Sequence, residues 1–169
     1  MAEKIYFTER QRFNQWWLWL ILLISFALPF YGIYEQLQSP EPFSDPEKTT
    51  GIILTAIIML PVMALFLFMR LETQIKEDGI YVRFFPFHLK FRHFPWSETA
   101  EAYVRQYSAI SEYGGWGLRF GIFGSGKAYN VSGNQGIQLV FKTGKKLLIG
   151  TNKPAEAARV LKEVAPVNA

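Results

Sequence analysis

Residues 13–34 read FNQWWLWLILLISFALPFYGIY, a run of 22 residues without a charged side chain. A second charge-free run of 21 residues follows at 49–69. Each run is long enough to cross the hydrocarbon core of a bilayer, which takes about 20 residues as a helix. Because a charged side chain at the membrane centre costs about 2.5–3.5 kcal/mol on insertion, these runs predict two transmembrane helices, at residues 16–34 and 49–69.

The first run also has features of a cleaved signal peptide, since the basic residues Lys4, Arg10 and Arg12 precede it. Its apolar part, however, is longer and more aromatic than the hydrophobic region of a signal peptide, and no small-x-small cleavage pattern follows it. Tryptophans at its start and tyrosines at its end suit the two headgroup levels of a bilayer. The sequence therefore favours a retained membrane helix.

Basic residues flank the two runs on their outer sides, whereas the loop between them is acidic. Residues 35–48 contain one lysine against four acids, and the flanking basic residues are Lys4, Arg10, Arg12, Arg70, Lys76 and Arg83. The positive-inside rule then places the loop outside the cell. We expect a protein integral to the cytoplasmic membrane, with an N-terminal segment (residues 1–15) and a domain (residues 70–169) both in the cytoplasm.

The domain carries the alternation of apolar and polar side chains that is typical of half-buried strands. The predicted strands are residues 71–75, 80–84, 87–91, 103–107, 137–141 and 146–149. The first two flank Lys76-Glu77-Asp78-Gly79, whose glycine can adopt the positive φ of a hairpin turn. A second turn, at Thr143-Gly144, joins the last two strands.

A change of period near the C-terminus predicts one helix. Pro154 suits a first helical position, and Glu156 complements the helix N-terminus. Apolar side chains then recur on one face, at Ala157, Ala158, Leu161, Val164 and Ala165. The fold class predicted for the domain is α+β, a small curved antiparallel sheet or barrel capped by a C-terminal helix.

Residues 121–127, GIFGSGK, match the G-x-x-x-x-G-K pattern of a phosphate-binding loop. Such a loop leads from a strand into a helix, but strand and turn residues follow this one, and Ala128 stands where Ser or Thr would hold magnesium. Residues 113–155 also contain no Asp or Glu to complete a metal site. We therefore expect no nucleotide, and assign the glycines to turns and bulges between strands, with Lys127 in solvent.

No other residue pattern predicts an active site, a metal site or a bound cofactor. The sequence has no cysteine, which excludes thiol catalysis and sulfur-ligated zinc. Glu98 and Glu101 lie where a turn is expected to lead into a strand. His88 and His93 are expected on opposite faces of one strand. No nucleic-acid recognition motif accompanies the positive charge. The prediction is a non-enzymatic protein, and a channel or transporter would need several copies, because one hairpin cannot enclose a path.

Two spans followed by a sheet domain with one C-terminal helix resemble the membrane-anchored bacterial proteins that carry a pleckstrin-homology-like (PH-like) domain. The segments that carry the resemblance are EDGIYVRFFPF (77–87), PWSE (95–98), GGWGLR (114–119), GKAYNVSGNQGIQLVF (126–141) and KKLLIGTNKP (145–154). The resemblance covers residues 71–166 and implies a seven-stranded curved sheet closed by a helix, in a bacterial inner membrane. It implies a binding platform rather than an enzymatic activity.

The first interpretation of function is a module that binds another membrane protein or a second copy of itself, as an accessory subunit of a membrane complex. Its candidate contact residues include the aromatic side chains of Phe85, Phe87 and Trp96, since aromatic residues are enriched at interfaces. The same side chains also suit a hydrophobic core, and that alternative stays open.

The second interpretation is a sensor of anionic lipid or of the membrane surface. His88, Lys90 and Arg92 alternate in a predicted strand and would share one face. Residues 70–169 carry 14 basic against 8 acidic side chains. A basic face held near the inner leaflet gains about 1 kcal/mol per Lys or Arg from anionic lipid. The alternative is a solvated basic edge strand.

Overall fold

The computed structural model describes residues 4–121 and 124–165 of the chain. These residues form two compact units. One is a helical unit, Asn14–Phe68; the other is sheet-rich and is built from the chain on both sides of it, up to Phe13 and from Met69 onward. Residues 4–13, which were expected to form part of a separate N-terminal segment, thus belong to the sheet-rich unit.

The helical unit is a hairpin of α1 (Trp16–Leu37) and α2 (Pro46–Phe68), both long and apolar enough to cross a membrane. Helix α2 begins earlier than predicted because Asp45 caps it: the N–H groups of Glu47 and Lys48 donate to Asp45 Oδ1 at 3.0 and 3.2 Å. The two helices approach closely at Gly32, where a Cβ would lie 3.2 Å from Ile52 Cδ1.

Four strands form the first sheet, antiparallel and in chain order: β1 (Ile5–Arg12), β2 (Arg70–Lys76), β3 (Gly79–Phe85) and β4 (Arg92–Pro95). The sequence analysis did not predict β1. Because Arg12 pairs with Arg70, the chain leaves this sheet for the helical unit and returns to it beside the point of departure.

The second sheet follows a 3₁₀ turn at Trp96–Glu98, and its strands are β5 (Thr99–Gln106), β6 (Gly117–Phe120), β7 (Lys127–Asn130), β8 (Gln135–Phe141) and β9 (Lys146–Gly150). Helix α3 (Ala109–Tyr113) precedes β6, and α4 (Pro154–Val164) ends the unit. The strand order is β5-β8-β9-β7-β6, with β7 parallel to β9, so the prediction of a wholly antiparallel sheet is wrong. The cause is the β6–β7 hairpin, which lies between β5 and β8 in the chain and pairs with the edge of β9 that β8 leaves free.

The predictions of β2, β3, β5, β8, β9 and a helix from Pro154 are confirmed, but the strand predicted at residues 87–91 is wrong. Pro86 has no N–H to donate to a strand ladder, and the His88 N–H donates to the Phe84 carbonyl at 2.8 Å, which turns the chain. His88 and Lys90 therefore share no strand face with Arg92, the first residue of β4.

Gly79 is required for close packing rather than for a positive φ, which it does not have. A Cβ at this position would overlap the Phe94 carbonyl oxygen and lie 2.9 Å from Pro95 Cα. Glycine therefore lets β4 pair with the start of β3.

The core of the sheet-rich unit combines side chains of both sheets with one face of α4. Its fully buried members include Leu71, Ile75, Ile80, Val82, Phe84, Ile137, Leu139, Leu148 and Ile149. Helix α4 contacts β1, β5 and β8 and buries Ala157, Val160 and Leu161. The helix therefore bridges the two sheets.

Polar contacts attach β1 to the end of β9 and the start of α4. Gln11 Nε2 donates to the Gly150 carbonyl at 2.6 Å. The buried Glu9 carboxylate accepts from Thr151 Oγ1 at 2.6 Å and from the Asn152 N–H at 2.8 Å. Strand β1, at the edge of the first sheet, is thereby fixed to the end of β9 and the start of α4.

Candidate functional site

An open groove of about 550 Å³ lies between β4, the β6–β7 hairpin and the β8–β9 turn. It is lined by Arg92, Phe94, Phe120, Gly121, Gly124, Gly126, Lys127, Tyr129, Phe141, Gly144, Lys145, Lys146 and Leu147. We call it the basic groove. Both sheets of the unit contribute to its walls.

The basic groove is lined by four cations, Arg92, Lys127, Lys145 and Lys146, and its lining includes no Asp or Glu. The chain offers none nearby in sequence, since residues 113–155 lack acids altogether. Within the described residues, no carboxylate forms an ion pair with any of the four. The groove therefore carries uncompensated positive charge.

Aromatic rings form much of the groove wall. Phe94 and Phe141 pack with their ring centroids 5.8 Å apart. Phe120 is 77% exposed, and Lys127 Nζ lies 5.3 Å from its ring centroid. The Tyr129 hydroxyl accepts from Arg92 Nη1 at 3.1 Å. Cations held against aromatic faces suit an anionic ligand that also has apolar atoms.

The glycine-rich segment connects β6 to β7, as the sequence analysis predicted, and Lys127 is exposed. It does not lead from a strand into a helix, the arrangement of a phosphate-binding loop. Gly126 has a φ of 83°, and a Cβ there would lie 2.7 Å from Lys146 Cβ. This glycine lets the segment contact β9, while Ile122 and Phe123 lie outside the described residues.

A polar network around Arg105 holds the other side of this segment. Arg105 Nη2 lies 2.7 Å from Glu112 Oε2, and Arg105 Nε donates to Gln138 Oε1 at 2.9 Å. The Tyr113 hydroxyl donates to the Ser125 carbonyl at 3.2 Å. Helix α3 thus connects the end of β5 to the glycine-rich segment.

Replacing Glu112 by Gln is expected to destabilise the fold by an amount that depends on pH. The hydrogen bond from Arg105 lowers the pKa of Glu112 below its usual value of 4.5, so the ionised carboxylate stabilises the fold above that pH. This contribution is lost as the pH falls through the lowered pKa. Because the side chain is partly exposed, we expect Glu112→Gln to lower the free energy of unfolding by less than about 1 kcal/mol at pH 7. Thermal denaturation of both proteins at pH 7 and below pH 4 should show the difference shrinking at low pH; a constant difference would contradict it.

One of the six residues predicted from the sequence lines the basic groove, and a second contacts a residue of its wall. Arg92 lines it, and the His88 ring packs edge-on against Tyr129 at 5.3 Å. Burial, and secondly the Arg92 cation, lowers the pKa of His88, so its ring is neutral at neutral pH. Lys90 is exposed and does not line the groove.

The predicted aromatic residues lie elsewhere. Phe85 packs under the Arg70 guanidinium at 4.6 Å, and Trp96 Nε1 donates to the Lys76 carbonyl at 3.3 Å. Phe87 is 55% exposed and packs beside Phe84 at 6.0 Å. Phe85 and Trp96 are half-buried, so they contribute to packing. Phe85, Phe87 and Trp96 therefore do not line the basic groove.

Sequence reasoning missed most of the groove, including Phe120, Phe141 and the lysines on β7 and β9. A signal was present, because the acid-free residues 113–155 contain six cations: Arg119, Lys127, Lys142, Lys145, Lys146 and Lys153.

The chain is thus a sheet-rich α+β protein with a helical hairpin inserted after its first strand and a basic groove on its sheet-rich unit. Comparison with protein-family models, with curated proteins and with solved structures found no match.

Proposed function

We propose that this protein is a non-enzymatic module, anchored in the cytoplasmic membrane, that binds an acidic segment of another membrane protein in the basic groove. It would act as an accessory subunit of that protein's complex. The observation that carries the proposal is the groove lining, which combines four cations and aromatic walls without an acid.

Two observations support anchoring by α1 and α2. The most apolar segment of α1 is only 11% buried and that of α2 is not buried, whereas the core helix of a soluble protein is mostly buried. Strands β1 and β2 pair at Arg12 and Arg70. The two ends of the helical hairpin must therefore lie on the same side of the membrane. Two membrane crossings satisfy this requirement, and the positive-inside rule favours the cytoplasmic side.

The strand count is compatible with a PH-like domain. The described residues form nine strands. With α3 and the β6–β7 hairpin set aside, seven strands and the closing helix α4 remain, the number that the resemblance implies.

Position along the strands favours a protein ligand over lipid headgroups. Phe94 of the groove pairs with Ile80, whereas Arg70, where the chain returns from the helical unit, pairs with Phe85. Ile80 and Phe85 are five residues apart, about 16 Å along a strand. Negatively charged residues beside apolar ones in an extended segment complement both the charge and the aromatic walls.

Site-specific crosslinking in cells provides the test. A photoreactive benzoylphenylalanine replaces the exposed Phe120 in the full-length chain, and Ile110 on α3, which is 66% exposed outside the groove, provides the matched control position. We expect an adduct from position 120 alone, with the crosslinked peptide of the partner rich in Asp and Glu. Charge reversal by Lys127→Glu with Lys146→Glu should reduce the adduct at least about tenfold, because close interfacial charge pairs contribute more than about 1.5 kcal/mol.

Arg159→Glu with Lys162→Glu, on the exposed face of α4, reverses the same charge away from the groove and should leave the adduct unchanged. An adduct that is insensitive to the groove reversal, or that contains only lipid or a second copy of the chain, would overturn the proposed ligand. Release of the wild-type chain from membranes by alkaline carbonate would overturn the proposed anchoring.

A further inference from the structure

A second cluster of cations lies on the outer face of the four-stranded sheet, away from the basic groove. It comprises Arg10 and Arg12 of β1, Arg70 of β2 and Arg83 of β3. Cross-strand pairing aligns them, because Arg12 is opposite Arg70, and Glu72 lies between Arg10 and Arg83. We call this set, with Glu72, the arginine face.

One carboxylate organises three of these arginines. Glu72 Oε1 lies 2.9 Å from Arg70 Nε and 3.5 Å from Arg10 Nε. Glu72 Oε2 accepts from Arg83 Nε at 2.8 Å and also contacts Arg83 Nη2. Four positive charges against this one negative charge leave the face with a net charge of +3.

Aromatic rings hold two of the guanidinium groups in place. Arg70 lies 4.6 Å from the ring centroid of Phe85, and Arg83 lies 4.7 Å from that of Phe91. Each guanidinium has five N–H donors, and a single carboxylate cannot occupy those of three arginines. The face therefore presents fixed donors whose planar geometry fits the oxygens of a phosphate.

The arginine face adjoins the points where the chain enters and leaves the helical unit. Arg12 precedes Trp16 at the start of α1, and Arg70 follows Phe68 at the end of α2. With these helices in a bilayer, the nearest phosphates are those of lipid headgroups. The geometry points to a binding site for the phosphate of an anionic glycerophospholipid. This inference rests on the proposed anchoring but not on the proposed groove ligand.

The need for positive charge beside a membrane span does not account for the whole arrangement. Arg12 and Arg70 adjoin the spans and suffice as topological signals. Arg10 and Arg83 are each two residues further along their strands from that pair, and Glu72 fixes both. The test therefore uses Arg10 and Arg83, whose substitution leaves the charges next to the spans intact.

Native mass spectrometry of the full-length chain in detergent measures the affinity for phosphatidylglycerol, with phosphatidylcholine of the same acyl chains as the neutral reference. We expect the wild type to prefer phosphatidylglycerol. Arg10→Gln with Arg83→Gln should weaken its binding roughly 25-fold, at about fivefold for each arginine. Arg159→Gln with Lys162→Gln removes the same charge from α4 and should change binding less than about twofold, because neither residue belongs to the arginine face.

Arg10→Gln alone keeps Glu72 paired with Arg70 and Arg83 and should still weaken binding about fivefold. This single variant tests the inference even if the double variant does not fold. Binding within twofold of wild type in both variants would overturn the inference. Displacement of the lipid by inorganic phosphate at equal concentration would overturn the assignment to a lipid. An intact crosslink from position 120 in the double variant would show that loss of lipid binding leaves the groove function unaffected.

Discussion

Replacing Asn14–Phe68 by Asn-Gly is expected to yield a soluble, folded monomer, whereas the fragment of residues 70–169 is expected to aggregate. Arg12 and Arg70 are opposite each other in the antiparallel β1–β2 pair, so Phe13 and Met69 would flank a two-residue loop. Asn-Gly is the preferred sequence for such a hairpin, because both residues tolerate positive φ. The connection therefore keeps the register of β1.

The fragment of residues 70–169 is expected to aggregate because it lacks β1, which contributes to the core. Phe7 is 2% exposed, and deleting a buried phenylalanine side chain costs about 3–5 kcal/mol. Removing β1 also deprives the Thr151 hydroxyl and the Asn152 N–H of their acceptor, Glu9. Typical domains are stable by only about 5–15 kcal/mol, so these losses together approach the whole stability.

Size-exclusion chromatography and near-ultraviolet circular dichroism of the two proteins measure the outcome. Phe7→Ala in the Asn-Gly-linked protein is the graded control and should lower its thermal midpoint strongly without aggregation. A monomeric fragment of residues 70–169 with the tertiary signal of the linked protein would show that β1 is dispensable. An unfolded linked protein would show that the sheet-rich unit depends on the helical unit.

The N-terminal strand illustrates why part of this fold could not be predicted from the sequence. A half-buried strand is recognised by apolar residues at every second position. In β1 the buried positions are Phe7, Glu9 and Gln11, so polar residues interrupt the pattern. Their hydrogen-bond partners are more than a hundred residues away, and no local signal reveals them. The two long helices, by contrast, were predictable because the absence of charge over a whole segment is a local property.

The same difference between local and long-range information applies to the candidate site. Lys127 and Lys146 come together because β7 pairs in parallel with β9, a pairing that no turn between them signals. Alternation at residues 87–91 wrongly predicted a strand, because the periodicity of side chains does not register that Pro86 lacks an N–H. The single residue common to the prediction and the groove lining, Arg92, begins β4, which lies after the segment predicted as a strand.

Gly126→Ala is expected to destabilise the sheet-rich unit and disrupt the basic groove, whereas Gly124→Ala in the same segment is expected to be mild. Both glycines have a positive φ, 82° at Gly124 and 83° at Gly126, so alanine costs about 1–2 kcal/mol at either position. The space around them differs. Among the described residues, a Cβ at Gly124 meets nothing within 4 Å, while a Cβ at Gly126 overlaps the Lys146 carbonyl oxygen and lies 2.8 Å from the Lys146 carbonyl carbon.

The Lys146 carbonyl belongs to the backbone of β9, a central strand, and cannot shift easily. The β6–β7 hairpin must therefore move away from β9 to remove the overlap. Overpacking of this kind adds about 1–3 kcal/mol, so Gly126→Ala should lower the free energy of unfolding by roughly 3 kcal/mol in total. For a domain of about 100 residues this corresponds to a thermal midpoint lower by more than about 10 °C, against about 5 °C for Gly124→Ala. Crosslinking from position 120 should fail in Gly126→Ala and persist in Gly124→Ala. Equal midpoints for the two variants would mean that the glycine-rich segment does not contact β9, and the groove wall that depends on this contact would have to be abandoned.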